Sequence, residues 1–356
     1  MKKHNYSAGP SILPQEVFEK ASKAVLDFNN SGLSILEISH RSKDFVAVMD
    51  EARALALDLL GLTGKGYQAL FLQGGASTAF LMAPYNLMKE NGKAAYLDSG
   101  TWATAAIKEA KFFGETVIVG SSKEENYNHI PKGYQIPADA DYFHCTSNNT
   151  IFGTQMKEFP TTNIPVVCDM SSDIFSRDLD FSKFDLIYAG AQKNMGPAGT
   201  TLVVVKEEIL GKNGRAIPSM LDYAKHIKAE SMYNTPPVFS VYVSLLTMQW
   251  IKAQGGVAAV EKLNDAKAAL LYNEIDRNPL FKGAAAVEDR SNMNVTFLLT
   301  NADHTETFDK LWKEAGISGL PGHRSVGGYR ASIYNAMPIE SVQVLVDVMK
   351  ALETKV

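Results

Sequence analysis

The stretch 187–200 reads IYAGAQKNMGPAGT. The apolar runs FDLIYA and TTLVVV flank it, and a single cation, Lys193, stands among small and amide residues. A lysine in low-dielectric surroundings gives up its proton more readily, and the neutral amine attacks carbonyl carbon. Small neighbours leave room for a flat ligand. An isolated lysine in a turn is most often solvated, but Asp169 shifts that balance. It ends the apolar run IPVVCD, so its carboxylate emerges at a strand end, where open α/β sheets bind ligands. Taken alone, Asp169 reads as a helix cap or an ion-pair partner. A lysine and an aspartate at neighbouring strand ends are what pyridoxal phosphate requires. The amine holds the aldehyde, and the carboxylate pairs with the protonated ring nitrogen.

A phosphate on such a cofactor needs donors. The segment GGAST, 74–78, lies between the buried run YQALFL and a helix start, so backbone N–H groups and two hydroxyls can cradle it. Many strand-to-helix turns share that composition. Trp102 opens the helix after the next strand; a lone tryptophan is commonly a core residue, and here its face could stack on a ring. Two His-Arg pairs, His40-Arg41 and His323-Arg324, recur in a chain with few arginines, and Arg330 follows the second. Each pair alone is an ordinary surface turn. Beside the lysine constellation, the pairs suit a dianionic phosphate and Arg330 a bidentate carboxylate. The expected substrate carries both groups.

The elements that must position these residues alternate. A helical pattern runs over 43–60 and stops at Gly61; YQALFL, AAYLD, TVIVG, YFHCT, IPVVCD, FDLIYAG and TTLVVV read as strands, with helical segments to residue 88 and over 102–113. That alternation predicts an α/β fold with a mostly parallel sheet covered on both faces. The link between FDLIYAG and TTLVVV is too short for a crossover helix, so those two strands are expected antiparallel, with Lys193 in their connecting loop. After Gly255-Gly256 the texture changes to a long helix over 257–277, the strand NVTFLLT, a helix over 305–315, the strand YRASIYN and a last helix over 341–352. The expected division is a large domain of 15–256 and a smaller α+β domain of 1–14 with 257–356.

The chain has 356 residues, enough for two cores, and a net charge of −4 that gives no reason to expect nucleic acid or an anionic membrane. Two cysteines, Cys145 and Cys168, lie in strand-like runs without metal-site spacing, which suits a reducing cytoplasm and no bound metal. The first residues lack an apolar signal core, and no apolar run is long enough to span a bilayer.

Six stretches together are specific: SAGPSILP, ISHRSKDF, DSGTWATAAIKEAK, YAGAQKNMGPAGT, MYNTPPVFS and GHRSVGGYRASIYNAMP. Through them the chain resembles the phosphoserine aminotransferases, fold-type-I pyridoxal-phosphate enzymes of serine biosynthesis, from its N-terminus to within about twenty residues of its C-terminus. The resemblance implies roles for individual residues. Lys193 would be the Schiff-base lysine, Asp169 the partner of the ring nitrogen, Trp102 the stacking ring and Thr150 the donor to the ring's phenolic oxygen. Ala76, Ser77 and Gln192 would hold the cofactor phosphate, joined by Asn234 and Thr235 from the neighbouring subunit of a homodimer. His40 and Arg41, from the partner chain, with His323 and Arg324 would hold the substrate phosphate, and Arg330 the α-carboxylate. The reaction implied interconverts 3-phosphohydroxypyruvate and L-glutamate with O-phospho-L-serine and 2-oxoglutarate; some members also take 3-hydroxy-2-oxo-4-phosphobutanoate, in pyridoxal phosphate synthesis. Many members carry arginine where this chain has Ser77. Asn148 and Asn149, just before Thr150, have no role that spacing explains. Among enzymes of the same fold, a cysteine desulfurase would need a mobile cysteine, and alanine–glyoxylate chemistry gives no reason for two His-Arg pairs.

Overall fold

The computed structural model describes residues 3–356. Seven strands form the central sheet: β1 (Tyr67–Leu72), β2 (Lys93–Asp98), β3 (Glu115–Ser121), β4 (Phe143–Thr146), β5 (Val166–Asp169), β6 (Leu186–Gly190) and β7 (Thr201–Lys206). Their spatial order is β1-β7-β6-β5-β4-β2-β3. Only β7 is antiparallel to its neighbours, with Thr201 opposite both Leu72 and Gly190. This is the α/β architecture expected from the alternating pattern, including the hairpin that carries Lys193.

Alternation of side chains divides the sheet between two apolar layers. Phe71, Leu97, Cys145, Cys168, Ile187 and Val204 face a core shared with helices α2 (Lys43–Leu59) and α5 (Val238–Ala253). Leu70, Tyr96, Val167, Tyr188 and Val203 face the other, covered by α3 (Gly75–Leu87) and α4 (Thr101–Ala110). Helix α2 starts where Ser42 accepts from the Phe45 N–H at 3.3 Å, and ends before Gly61, whose φ is 62°. Among the helices of ten or more residues, two have no counterpart in the sequence reading. One is α1 (Gln15–Leu26); the other is α5, which packs against α1 and α2 and is too apolar around its circumference to show a periodic stripe.

The C-terminal part forms a second core. An antiparallel sheet of β8 (Phe281–Gly283), β9 (Asn294–Leu299) and β10 (Tyr329–Ser332) packs on α6 (Val257–Arg277), α7 (Thr305–Glu314) and α8 (Ile339–Glu353). Tyr6 and Ile12 join this core, and His4–Asn5 pairs in parallel with Ile317–Ser318. Met1 and Lys2 lie outside the described residues. Helix α6 belongs to both cores, with Val257 and Val260 in the first and Ala268 to Ile275 in the second. The strand expected over YRASIYN stops at Ser332, because the next two carbonyls, of Ile333 and Tyr334, turn to accept from the buried Lys267 Nζ at 3.0 and 2.6 Å.

A buried polar seam joins the two cores, and it accounts for Asn148. Its amide donates to Ser172 Oγ and to Asn294 Oδ1, both at 2.8 Å, and its Oδ1 accepts from Ser291 Oγ at 2.5 Å. Asn294 then donates to Ser332 Oγ at 3.0 Å and Tyr334 OH at 3.1 Å, and Tyr334 OH donates to the Ala8 carbonyl at 2.7 Å. Buried polar groups of this kind are costly when unpaired. Asn294→Ala removes one partner each from the Asn148 amide, Ser332 Oγ and Tyr334 OH, and is expected to lower stability by about 2 kcal/mol. The urea unfolding midpoint measures this; an unchanged midpoint would mean the seam contributes nothing net.

Candidate active site

The carboxyl ends of β1, β5 and β6 open on one edge of the sheet. After β1, Gly74 adopts φ 97°, and a Cβ there would lie 1.9 Å from Thr78 Oγ1, so the turn admits only glycine. Helix α3 follows at once with no side-chain cap. Its first-turn N–H groups, among them those of Ala76 and Ser77, are therefore free donors at the positive end of a helix. Ala76 is half-buried and Ser77 exposed.

After β5, Asp169 is 4% exposed and accepts from the Ser171 N–H at 2.9 Å. Burial pushes its pKa up, and the charge of Lys193 opposes that rise. After β6, residues 191–200 form a closed loop, with the Ala191 N–H bonded to Thr200 O at 3.1 Å. The N-terminal segment lies on this loop: the Ser11 N–H donates to Gln192 O at 3.0 Å, and the Ser11 hydroxyl donates to the Lys193 carbonyl. A Cβ on Gly9, at φ 155°, would come within 3.3 Å of Lys193 Cγ. Lys193 Nζ donates to Thr150 Oγ1 at 2.9 Å and lies 5.7 Å from the centroid of the Trp102 ring. Burial draws the Lys193 pKa down, Asp169 works against that, and the Arg330 charge adds to it.

Arg330 projects from β10 and donates from Nη1 to the Thr150 carbonyl at 3.3 Å. Its buried Nε has no partner, and burial lowers its pKa. An arginine so placed is short of an anion. The turn 322–328 just before β10 carries His323 and the exposed Arg324; His323 Nδ1 lies 2.7 Å from Ser325 Oγ. Lys193, Thr150, Trp102, Asp169 and Arg330 thus come together within one chain. Gln192 flanks Lys193 and is half-buried. Asn234 and Thr235 sit in a separate loop, tied to the first turn by Gln73 Nε2, which donates to Thr235 O at 2.6 Å. His40 and Arg41 lie in a surface turn held by Ser39, and among the described residues they make no bond to the Lys193 group.

The matches to known proteins cover this whole arrangement. The profile of the family "Aminotransferase class-V" matches residues 4–345. A phosphoserine aminotransferase of Flavobacterium johnsoniae is 91% identical over the full length of both chains. The chain belongs to the phosphoserine aminotransferase family. A solved phosphoserine aminotransferase described for radiation damage of its Schiff base superposes with a TM-score of 0.96 at 46% identity, covering 100% of this chain and 99% of that one. A pyridoxal-phosphate-bound phosphoserine aminotransferase from Trichomonas vaginalis gives 0.92 at 35% identity, covering 98% and 100%.

Several contributors to this aminotransferase site were given no role by the sequence, although two of them lie within its motifs. Ser11 holds the Lys193 backbone. Asn194 accepts from the Asn335 N–H at 2.9 Å and so fixes the loop to the second core. Asp173, buried one turn beyond Asp169, is paired with Arg177 at 2.8 Å; its four-residue spacing from Asp169 was the available clue.

The raised pKa of Asp169 has a consequence for the cofactor-free chain. A carboxylate whose folded pKa exceeds its unfolded value near 3.8 stabilises the fold at low pH, and that contribution is lost as pH rises through the folded value. Asp169→Asn is therefore expected to stabilise the apoprotein at pH 7–8, with the gain vanishing below about pH 4. Urea unfolding at both pH values tests this. A variant less stable than the parent at pH 8 would contradict the burial cost assigned to Asp169.

Proposed function

We propose that the chain is a pyridoxal-phosphate-dependent transaminase that interconverts 3-phosphohydroxypyruvate and L-glutamate with O-phospho-L-serine and 2-oxoglutarate, the step that introduces nitrogen in serine biosynthesis. The observation that carries this reading is the desolvated Lys193 amine, bonded to Thr150 beneath Trp102 and opposed by the buried Asp169. The residues fit the cofactor: an uncapped helix start for its phosphate, a buried carboxylate for its ring nitrogen, and an amine held between a hydroxyl and a flat ring.

When bound, pyridoxal phosphate supplies an aldehyde that condenses with amines and a ring that takes up electrons from the Cα–H bond. Lys193 would hold it through its amine and, as the neutral amine that burial favours, would move a proton to and from the substrate's α-carbon. Asp169 keeps a proton at the ring nitrogen, Trp102 shields one ring face from water, and Thr150 donates to the phenolic oxygen. The N–H groups at Ala76 and Ser77, with Gln192, receive the cofactor phosphate. Asn234 and Thr235 from a second copy of the chain complete that cradle. Arg330, with its unpartnered Nε, receives the α-carboxylate common to both amino acids. His323 and Arg324, with His40 and Arg41 from the second copy, receive the substrate phosphate. The longer 3-hydroxy-2-oxo-4-phosphobutanoate carries the same two anions and fits the same cations. The large domain, 15–256, would carry the cofactor, with the small domain of 1–14 and 257–356 supplying Arg330. Two free, buried cysteines agree with a reducing cytoplasm, and among the described residues no helix is long and apolar enough to cross a membrane.

The holoenzyme should be yellow, and O-phospho-L-serine should bleach it while unphosphorylated L-serine does not. A protein that stays colourless with pyridoxal phosphate would remove Lys193 from the reading, as would full turnover by Lys193→Ala. Arg330→Ala should weaken phosphoserine and glutamate alike, by about tenfold to a hundredfold. Arg324→Ala should weaken phosphoserine far more than glutamate; equal losses would reassign that residue.

A further inference from the structure

Tyr127 is held at φ 54°, in the left-handed region, next to Asn126 at φ 56°. Asparagine enters that region readily, whereas a bulky tyrosine does so only when its surroundings over-determine it, and such residues gather at functional sites. The loop closes on itself: the Tyr127 N–H donates to Ser122 O and the Ser122 hydroxyl donates to His129 O, both at 2.8 Å. The tyrosine side chain is thereby turned inward and buried.

Its two ends meet different parts of the site. The hydroxyl lies 3.1 Å from Thr104 Oγ1 and 3.3 Å from Asp98 Oδ2, and Asp98, the last residue of β2, also accepts from Thr104 at 2.8 Å and Ser121 at 2.9 Å. Thr104 stands on α4 two residues beyond Trp102. The ring packs on Phe152 at a centroid distance of 4.9 Å, and Tyr127, Ile151 and Phe152 form an apolar cluster against which Val326 rests. Ile151 and Phe152 directly follow Thr150. Val326 belongs to the turn 322–328, in which the Val326 and Gly327 N–H groups both donate to the His323 carbonyl at 2.9 Å.

We propose that Tyr127 is a positioning residue for the substrate phosphate: with Ile151 and Phe152 its ring builds the cluster on which Val326 rests and so sets where His323 and Arg324 present their charges, while its hydroxyl references that seat to the helix bearing Trp102. The inference rests on the phosphate role proposed for His323 and Arg324. Two recognition events that must align on one substrate, ring stacking and phosphate capture, then share a single side chain as their reference.

The test uses the holoenzyme with Tyr127→Ala, Val326→Ala and the double variant. Each single change is expected to raise the KM for O-phospho-L-serine about tenfold, with the KM for glutamate and both kcat values within about twofold. Because the two residues belong to one cluster, the double variant should cost less than the product of the singles. Amide hydrogen exchange over 322–328 should speed up in all three, a readout independent of turnover. Tyr127→Phe keeps the ring in the cluster but loses the bonds to Thr104 and Asp98, and should raise the phosphoserine KM by less than Tyr127→Ala does. Equal losses for both substrates, or unchanged exchange with unchanged KM, would overturn the proposal. Arg324→Ala separates the two levels. If it discriminates against phosphoserine while Tyr127→Ala and Val326→Ala do not, the positioning role fails and the phosphate reading stands; if none discriminates, both fall. Should Tyr127→Ala not fold, Val326→Ala, at the edge of the same cluster, decides the matter.

Discussion

A lysine amine kept out of water loses the solvation that normally holds its proton, and at Lys193 parts of the chain far apart in sequence arrange that loss. The hairpin supplies the loop, the N-terminal segment covers its backbone through Ser11, Thr150 takes the amine's hydrogen bond, and Trp102 closes one side. Asp169 sits close enough to resist the shift, so the amine is held between two tendencies. The second buried acid, Asp173, is kept paired with Arg177, which limits how strongly it adds to that resistance.

The interface between the two cores serves the same end. Asn148, Ser291, Asn294, Ser332 and Tyr334 form one connected polar network, and Asn194 and Asn335 form another immediately beyond Lys193. Lys267, its pKa drawn down to about 7 by burial, holds the two carbonyls just past β10. Arg330 lies on that strand, so its guanidinium and the lysine loop are located against each other by directional bonds, which tolerate less slippage than apolar packing alone.

Much of this was legible in the sequence because strand ends are legible. Apolar runs that finish in IPVVCD and FDLIYAG place Asp169 and Lys193 at one edge of a sheet before any coordinates are known, and the short link to TTLVVV correctly implied the antiparallel pair. Contacts that join distant segments were not legible. Asn148 finds partners at residues 291 and 294, and Tyr127 shares a cluster with residues 151 and 152 on which Val326 rests; no local spacing encodes either. Helix α5 escaped for the opposite reason, being apolar on nearly every side and lacking a polar face to mark its period.

The one reversed strand, β7, also works as a ruler. It separates the end of β1, with its ring of free N–H groups, from the end of β6, with its amine, by two inter-strand steps, about 10 Å. That interval is fixed by backbone hydrogen bonding across the sheet and does not depend on any side chain. A ligand gripped at both points must therefore have a set length from its anionic tail to its reactive carbon. Point substitutions can alter what each grip recognises, while the gauge between them changes only if the order of strands does.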